Sequence, residues 1–160
     1  MRIKLLLFFL VFIFNLLAED LVEKNPSKQE IKIDLAYLFV PYLKAEYEYL
    51  LSEESSCGTV GLLNLGSNAN LELQILGFWR WYFNEEFVSG TFIECHVGVT
   101  CSEKKNKHNY TMLGAGVALG YKFVTPKGVI LDIFAGLGRS IGDVQEQFYP
   151  RLGLCLGKRF

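Results

Sequence analysis

Tyr110-Thr111-Met112-Leu113-Gly114-Ala115-Gly116-Val117-Ala118-Leu119-Gly120-Tyr121-Lys122-Phe123 is the stretch whose reading decides the fold. Leu113, Ala115, Val117, Leu119, Tyr121 and Phe123 alternate with Gly114, Gly116, Ala118, Gly120 and Lys122. A period of two is what a strand imposes, because successive side chains leave on opposite faces. The alternation resumes through 129–139 and 148–160 and reaches the last residue, Phe160. Between the first two of these stretches, Thr125-Pro126-Lys127-Gly128 has the chemistry of a tight turn.

Working back toward the N-terminus, alternation continues and sustained helical periodicity is missing. The pattern predicts eight strands, near 29–39, 42–51, 59–65, 70–83, 91–100, 110–123, 129–139 and 148–160. Before them, Arg2 and Lys4 precede an apolar run from Leu5 to Phe14, and Leu16-Leu17-Ala18 offers a cleavage site. That run is too short to cross a bilayer of about 30 Å as a helix. Residues 1–18 therefore read as an export signal for the Sec pathway, residues 19–28 as a periplasmic lead-in, and residues 29–160 as one β-domain. No Cys follows Ala18, which argues against a lipid anchor. Losing Arg2 and Lys4 leaves 14 basic against 17 acidic residues, a balance that speaks against a nucleic-acid partner.

The two faces of these strands differ in kind. One is apolar except at strand ends, where Arg139 and Lys158 sit. The other carries Lys32, Lys44, Arg80, Lys122, Arg151 and Arg159 together with Asp34, Glu46, Glu48, Glu72, Glu94 and Asp132, six charges of each sign, and His96 lies among them. A closed lumen could pair them all. Turning a Lys or Arg toward a bilayer midplane costs about 2–4 kcal/mol, so half of the basic set in lipid would consume stability comparable to the roughly 5–15 kcal/mol of a whole domain. An eight-stranded antiparallel transmembrane β-barrel with charges inside and hydrophobes outside is the expected architecture. Periodicity alone also fits a soluble barrel with its apolar face inward.

Aromatic placement separates these readings. Tyr47, Tyr49, Trp79, Trp81, Phe83, Tyr121, Phe123 and Phe160 close the second, fourth, sixth and eighth strands, all of which run toward the periplasm in this topology. They form an expected girdle at one interface, and Tyr37, Phe39 and Phe148 could begin the opposite belt. Gly114, Gly116, Gly120, Gly136, Gly138, Gly153 and Gly157 make room inside the barrel, with Phe78, Arg80, Tyr82 and Phe134 as candidates to fill it. A barrel of eight strands is wide enough only for side chains, so no open pore is expected.

Trp79-Arg80-Trp81-Tyr82-Phe83, then Thr91-Phe92-Ile93-Glu94-Cys95-His96-Val97-Gly98, then Leu113 to Tyr121 resemble an uncharacterised outer-membrane barrel family common in Bacteroidetes, similar in architecture to OmpA/OmpX-like barrels. Ile33-Asp34-Leu35-Ala36-Tyr37 and Lys44-Ala45-Glu46-Tyr47 fit its first hairpin. The resemblance spans roughly residues 29–160 and implies fold and outer-membrane location, with no activity to carry over.

Of the four cysteines, Cys57 is expected in a periplasmic turn, Cys101 at the outer rim, Cys95 on the lipid face and Cys155 in the lumen. Bridging needs Cα atoms within about 7 Å, so no disulfide framework is expected, and the spacing suits neither a metal nor another cofactor. Glu94, His96 and Asp132 are the acid/base candidates, but no hydroxyl completes a constellation with them; Thr100 and Thr111 lie near the rim. Lys104, Lys105, Lys107 and His108 make a basic loop tip that anionic lipopolysaccharide would attract. The expectation is a monomeric outer-membrane barrel with a structural or surface-interaction role. Its partners would be outer-membrane lipids, lipopolysaccharide and, through the strand ending in Phe160, the barrel-assembly machinery. The alternatives are a lipid-modifying outer-membrane enzyme of the lipid A deacylase or acyltransferase type, and a soluble periplasmic barrel binding an apolar ligand.

Overall fold

In the computed structural model, which describes residues 27–66, 71–83, 88–103, 109–141 and 147–160, the period-two stretches pair with their sequence neighbours around a closed antiparallel barrel. The strands are β1 (Gln29–Asp34), β2 (Tyr42–Leu50), β3 (Ser55–Asn64), β4 (Leu71–Tyr82), β5 (Gly90–Glu103), β6 (Asn109–Val124), β7 (Val129–Ile141) and β8 (Gln147–Arg159). At the seam Glu30 stands opposite Arg159 and Asp34 opposite Cys155. Closure leaves no sheet edge to attract another chain. The β2–β3, β4–β5 and β6–β7 connections turn at the end holding Gln29 and Phe160, here called the near end; the β1–β2 connection turns at the far end.

Several boundaries differ from expectation for identifiable reasons. β1 stops at Asp34 instead of running to residue 39, because the Asp34 carboxylate accepts from Ala36 N at 3.1 Å and Leu35–Phe39 winds into a 3-10 turn. Val40, preceding Pro41, is extended at φ −119°, as the proline ring demands. The expected first strand thus contains its own turn, which supplies the link to β2. β3 begins at Ser55, four residues before the expected start at 59. Ser55-Ser56-Cys57-Gly58 has turn composition, yet β2 and β4 supply ladder partners on both sides, and tertiary pairing overrides propensity. Cys57 consequently lies in a strand between Tyr49 and Trp79, not in a turn. β5, β6 and β7 extend to Glu103, from Asn109 and to Ile141, since polar residues continue a ladder whenever the neighbouring strand does.

Residues 1–26, which include the expected signal and most of the lead-in, lie outside the described residues, as do Lys104, Lys105, Lys107 and His108. Glu72 sits at the register shift between Leu71 and Leu73, and its side chain lies outside the described set.

The two faces sort as the alternation requires. Outward, Ile75, Val97, Val117, Leu119, Leu137 and Leu152 are each more than half exposed. Inward, Lys32, Arg80, Glu48, Glu94 and Asp132 are inaccessible. The near half of the lumen is filled by Leu50, Tyr82, Phe92, Ala118 and Phe134, capped by Val88. Val88 is fully buried at φ 41°, a left-handed conformation costly for a β-branched residue. Its N–H donates to Glu53 O at 2.9 Å and its carbonyl accepts from Arg159 Nη2 at 2.9 Å. Where large side chains cross the lumen, the facing strands carry glycine: a Cβ at Gly120 would come within 2.5 Å of the Phe92 ring and 2.6 Å of Phe134 Cβ.

Candidate functional site

Strand parity gathers the charged side chains into one buried network. Glu30, Lys32 and Asp34 come from alternate positions of β1, and Lys44, Glu46 and Glu48 from alternate positions of β2. Arg80, Glu94, Lys122, Asp132, Arg151 and Arg159 follow the same rule on later strands. Glu48 accepts from Arg80 Nη1 and Lys122 Nζ, each at 2.7 Å, from the Tyr82 hydroxyl at 2.8 Å and from Ser56 Oγ at 2.5 Å, and it pairs with Lys32. Arg80 also donates through Nε to Glu94 at 2.9 Å and through Nη1 to Asp132 at 3.0 Å. Its guanidinium lies 4.4 Å from the Phe78 ring centroid and 4.5 Å from that of Phe92. At the near end Lys122 and Arg159 share Glu30 at 2.7 and 2.9 Å.

Of the lumen residues expected from sequence, Lys32, Asp34, Lys44, Glu46, Glu48, Arg80, Glu94, His96, Lys122, Asp132 and Arg151 are buried, and Arg159 is ion-paired to Glu30. Glu30 was missed although the alternation that selects Lys32 and Asp34 selects it too, and Phe92 shares parity with Glu94 in the same way. Among the described residues the ledger closes at six cations and six carboxylates, with Glu30 joining Asp34, Glu46, Glu48, Glu94 and Asp132.

Glu46, Glu48 and Asp132 bring carboxylate oxygens within 4.8 Å of one another, a spacing that could hold a metal ion. A cation already occupies the point they share. Lys32 Nζ lies 2.6 Å from both Glu46 and Asp132 and also pairs with Glu48, while Arg80 Nη1 is 3.0 Å from Glu46. A divalent ion would have to displace a fully buried ammonium group already paired with all three carboxylates, so this cluster reads as an ion-pair knot.

Glu94 and His96 do come together, with His96 Nδ1 3.4 Å from Glu94 Oε1. Glu94 is committed to two guanidinium groups, however, at 2.9 Å each from Arg80 Nε and Arg151 Nε. Among the described residues no hydroxyl hydrogen-bonds to either ring nitrogen of His96. Thr100 is bonded to Gln74 at 3.0 Å, and Thr111 faces outward beside Cys101. Asp132 is engaged by Lys32 and Arg80.

The far half of the lumen is built differently. There the inward positions are small or short, including Gly98, Thr100, Gly114 and Ser140, and they leave a cavity of about 260 Å³. The packed polar interior expected from sequence therefore fills only part of the barrel. Phe134 forms the platform between the two parts, with Arg80 at 5.4 Å from its centroid and Lys44 and Arg151 at 5.7 and 4.8 Å. Tyr37, expected on an outer face, instead lines this cavity, with Lys44 Nζ 4.9 Å from its ring centroid.

The eight girdle residues Tyr47, Tyr49, Trp79, Trp81, Phe83, Tyr121, Phe123 and Phe160 are all exposed on the outer surface at the near end. On β2, β4 and β6 they occupy the same two positions relative to the strand terminus. Phe39 and Phe148, at the far end, are 84% and 77% exposed. All four cysteines are free, Cys95 exposed on the outer face and Cys155 buried.

No protein-family model, curated protein or solved structure matches the chain.

Proposed function

We propose that the protein is a small outer-membrane β-barrel, exported through the Sec pathway and monomeric, with a structural or surface-interaction role and no conducting pore. The observation that carries this reading is the orientation of the wall. Apolar side chains are exposed all around the barrel while twelve charged ones are drawn inside and paired. Soluble proteins rarely expose contiguous apolar patches beyond a few hundred Å², and a soluble barrel would gain by the reverse arrangement. In lipid the cost of about 2–4 kcal/mol per midplane Lys or Arg makes this arrangement the tolerable one.

The aromatic band supports the same reading, since Tyr and Trp collect where hydrocarbon meets headgroups. Its position at the end holding Gln29 and Phe160 fits a periplasmic interface, with Phe160 available to the assembly machinery. The Bacteroidetes-type small-barrel resemblance belongs to the proposal as well: three of its quoted segments lie along β4, β5 and β6, while Leu35-Ala36-Tyr37 of its first-hairpin segment winds into the 3-10 turn. A role other than catalysis is favoured because, among the described residues, no hydroxyl hydrogen-bonds to His96, and the carboxylate beside it is held by Arg80 and Arg151. The near half of the lumen is blocked by Arg80, Phe92 and Phe134, which argues against conduction.

Trp79 and Trp81, the two tryptophans of the chain, are 41% and 45% exposed on the outer wall and report directly on its surroundings. In vesicles containing doxyl- or bromo-labelled phospholipids their fluorescence is expected to be quenched most by labels near the headgroups and little by aqueous iodide. Strong iodide quenching with no effect of the lipid labels would refute a lipid-facing wall. Heat-modifiable migration of the outer-membrane fraction on gels tests location independently.

A further inference from the structure

We infer that the far-end cavity is a binding site for a small soluble organic carboxylate bearing a short apolar body. Among the described residues, Lys44 and Arg151 are the charged side chains lining it. The balancing Asp34 and Glu94 stand behind these cations, 2.7 Å from Lys44 Nζ and 2.9 Å from Arg151 Nε. A low-dielectric recess that presents an ammonium and a guanidinium to its interior concentrates positive potential there.

Arg151 provides the second observation. It is 6% exposed, stacked on Phe134, and its Nη2 is buried with no hydrogen-bond partner among the described residues. Native structures pair nearly all such donors, and an orphan marks a place where an acceptor belongs. A planar carboxylate is the acceptor whose geometry a guanidinium fork matches. The rest of the cavity is not shaped for the anion alone: Met112, Leu76 and Tyr149 contribute apolar surface beside the bonded Gln74–Thr100 pair. Hydrophobic lining with a few convergent polar groups is the usual make-up of a ligand pocket. Charge plus apolar surface predicts that an anion with a ring or short chain binds better than either feature alone.

The inference does not depend on where the barrel resides, and its test uses the full chain folded in detergent. Benzoate, acetate and neutral benzamide are titrated by calorimetry up to about 10 mM. Benzoate is expected to bind saturably, at least tenfold tighter than benzamide and also tighter than acetate. Arg151→Gln is expected to weaken benzoate at least tenfold, and Thr100→Trp, which fills the mouth from a half-buried position, to abolish binding. Should Arg151→Gln fail to fold, Thr100→Trp decides alone. Absence of saturable benzoate binding, equal affinity for benzamide, or binding undiminished by Thr100→Trp would overturn the assignment.

Discussion

Replacing Arg80 by methionine removes one charge from the centre of the lumen while nearly preserving volume. Arg80 is inaccessible to solvent and serves Glu48 at 2.7 Å, Glu94 at 2.8 to 2.9 Å, and Glu46 and Asp132 at 3.0 Å. In the variant, Lys32 remains for Glu46, Glu48 and Asp132, and Arg151 remains for Glu94, so no carboxylate loses every partner. The network nevertheless carries one uncompensated negative charge in a space closed by Phe92, Phe134 and Val88. Breaking a buried pair by removing one partner costs about 3–5 kcal/mol. With a urea slope of roughly 2 kcal/mol per molar, the unfolding midpoint should fall by about 2 M. Unfolding of the detergent-folded barrel is followed by the emission of Trp79 and Trp81, which face away from the substitution. Arg80→Lys should recover little, since an ammonium cannot span four carboxylates as the planar fork does. Pairing Arg80→Met with Glu94→Gln should restore part of the loss by removing the orphaned charge. A midpoint for Arg80→Met within error of the parent would refute the reasoning, because it would mean that water reaches these carboxylates and the lumen is not desolvated.

Gly120→Val should destabilise by about 1–3 kcal/mol through overpacking against Phe92 and Phe134, whereas Gly61→Ala, where an added Cβ meets nothing within 4 Å, should change stability by no more than about 0.5 kcal/mol; equal effects in denaturant titrations would contradict the packing described. Val117→Lys, at mid-strand on the outer wall, should cost about 2–4 kcal/mol in vesicles and Tyr49→Lys, near the strand end, about 0–1 kcal/mol; the absence of this depth dependence would count against a bilayer around the wall. Cys155, 1% exposed, should resist maleimide in the folded barrel and react on unfolding, while the exposed Cys95 is modified by a lipophilic maleimide in the folded state; mass spectrometry showing early Cys155 modification would mean the near half of the lumen is open.

The alternation along residues 29–160 was enough to specify eight strands and most of the content of each face, because side-chain direction in a strand depends on parity and on nothing more distant. That is why Lys32, Glu48, Arg80 and Asp132 could be assigned to one surface before any contact was known, and why Glu30 and Phe92, which obey the same parity, were also within reach. Parity says nothing about where a strand stops when an interior residue captures the backbone, as Asp34 does at Ala36, or when neighbouring strands recruit a turn-like segment, as at Ser55 to Gly58. Nor does it reveal distance. Only closure of the barrel brings Lys32 of β1 against Asp132 of β7, and Arg80 of β4 against Glu48 of β2, since these pairs are set by shear and lumen width. The same three-dimensional fit decides that large side chains fill the near half while short ones leave a cavity beside Arg151 at the far end.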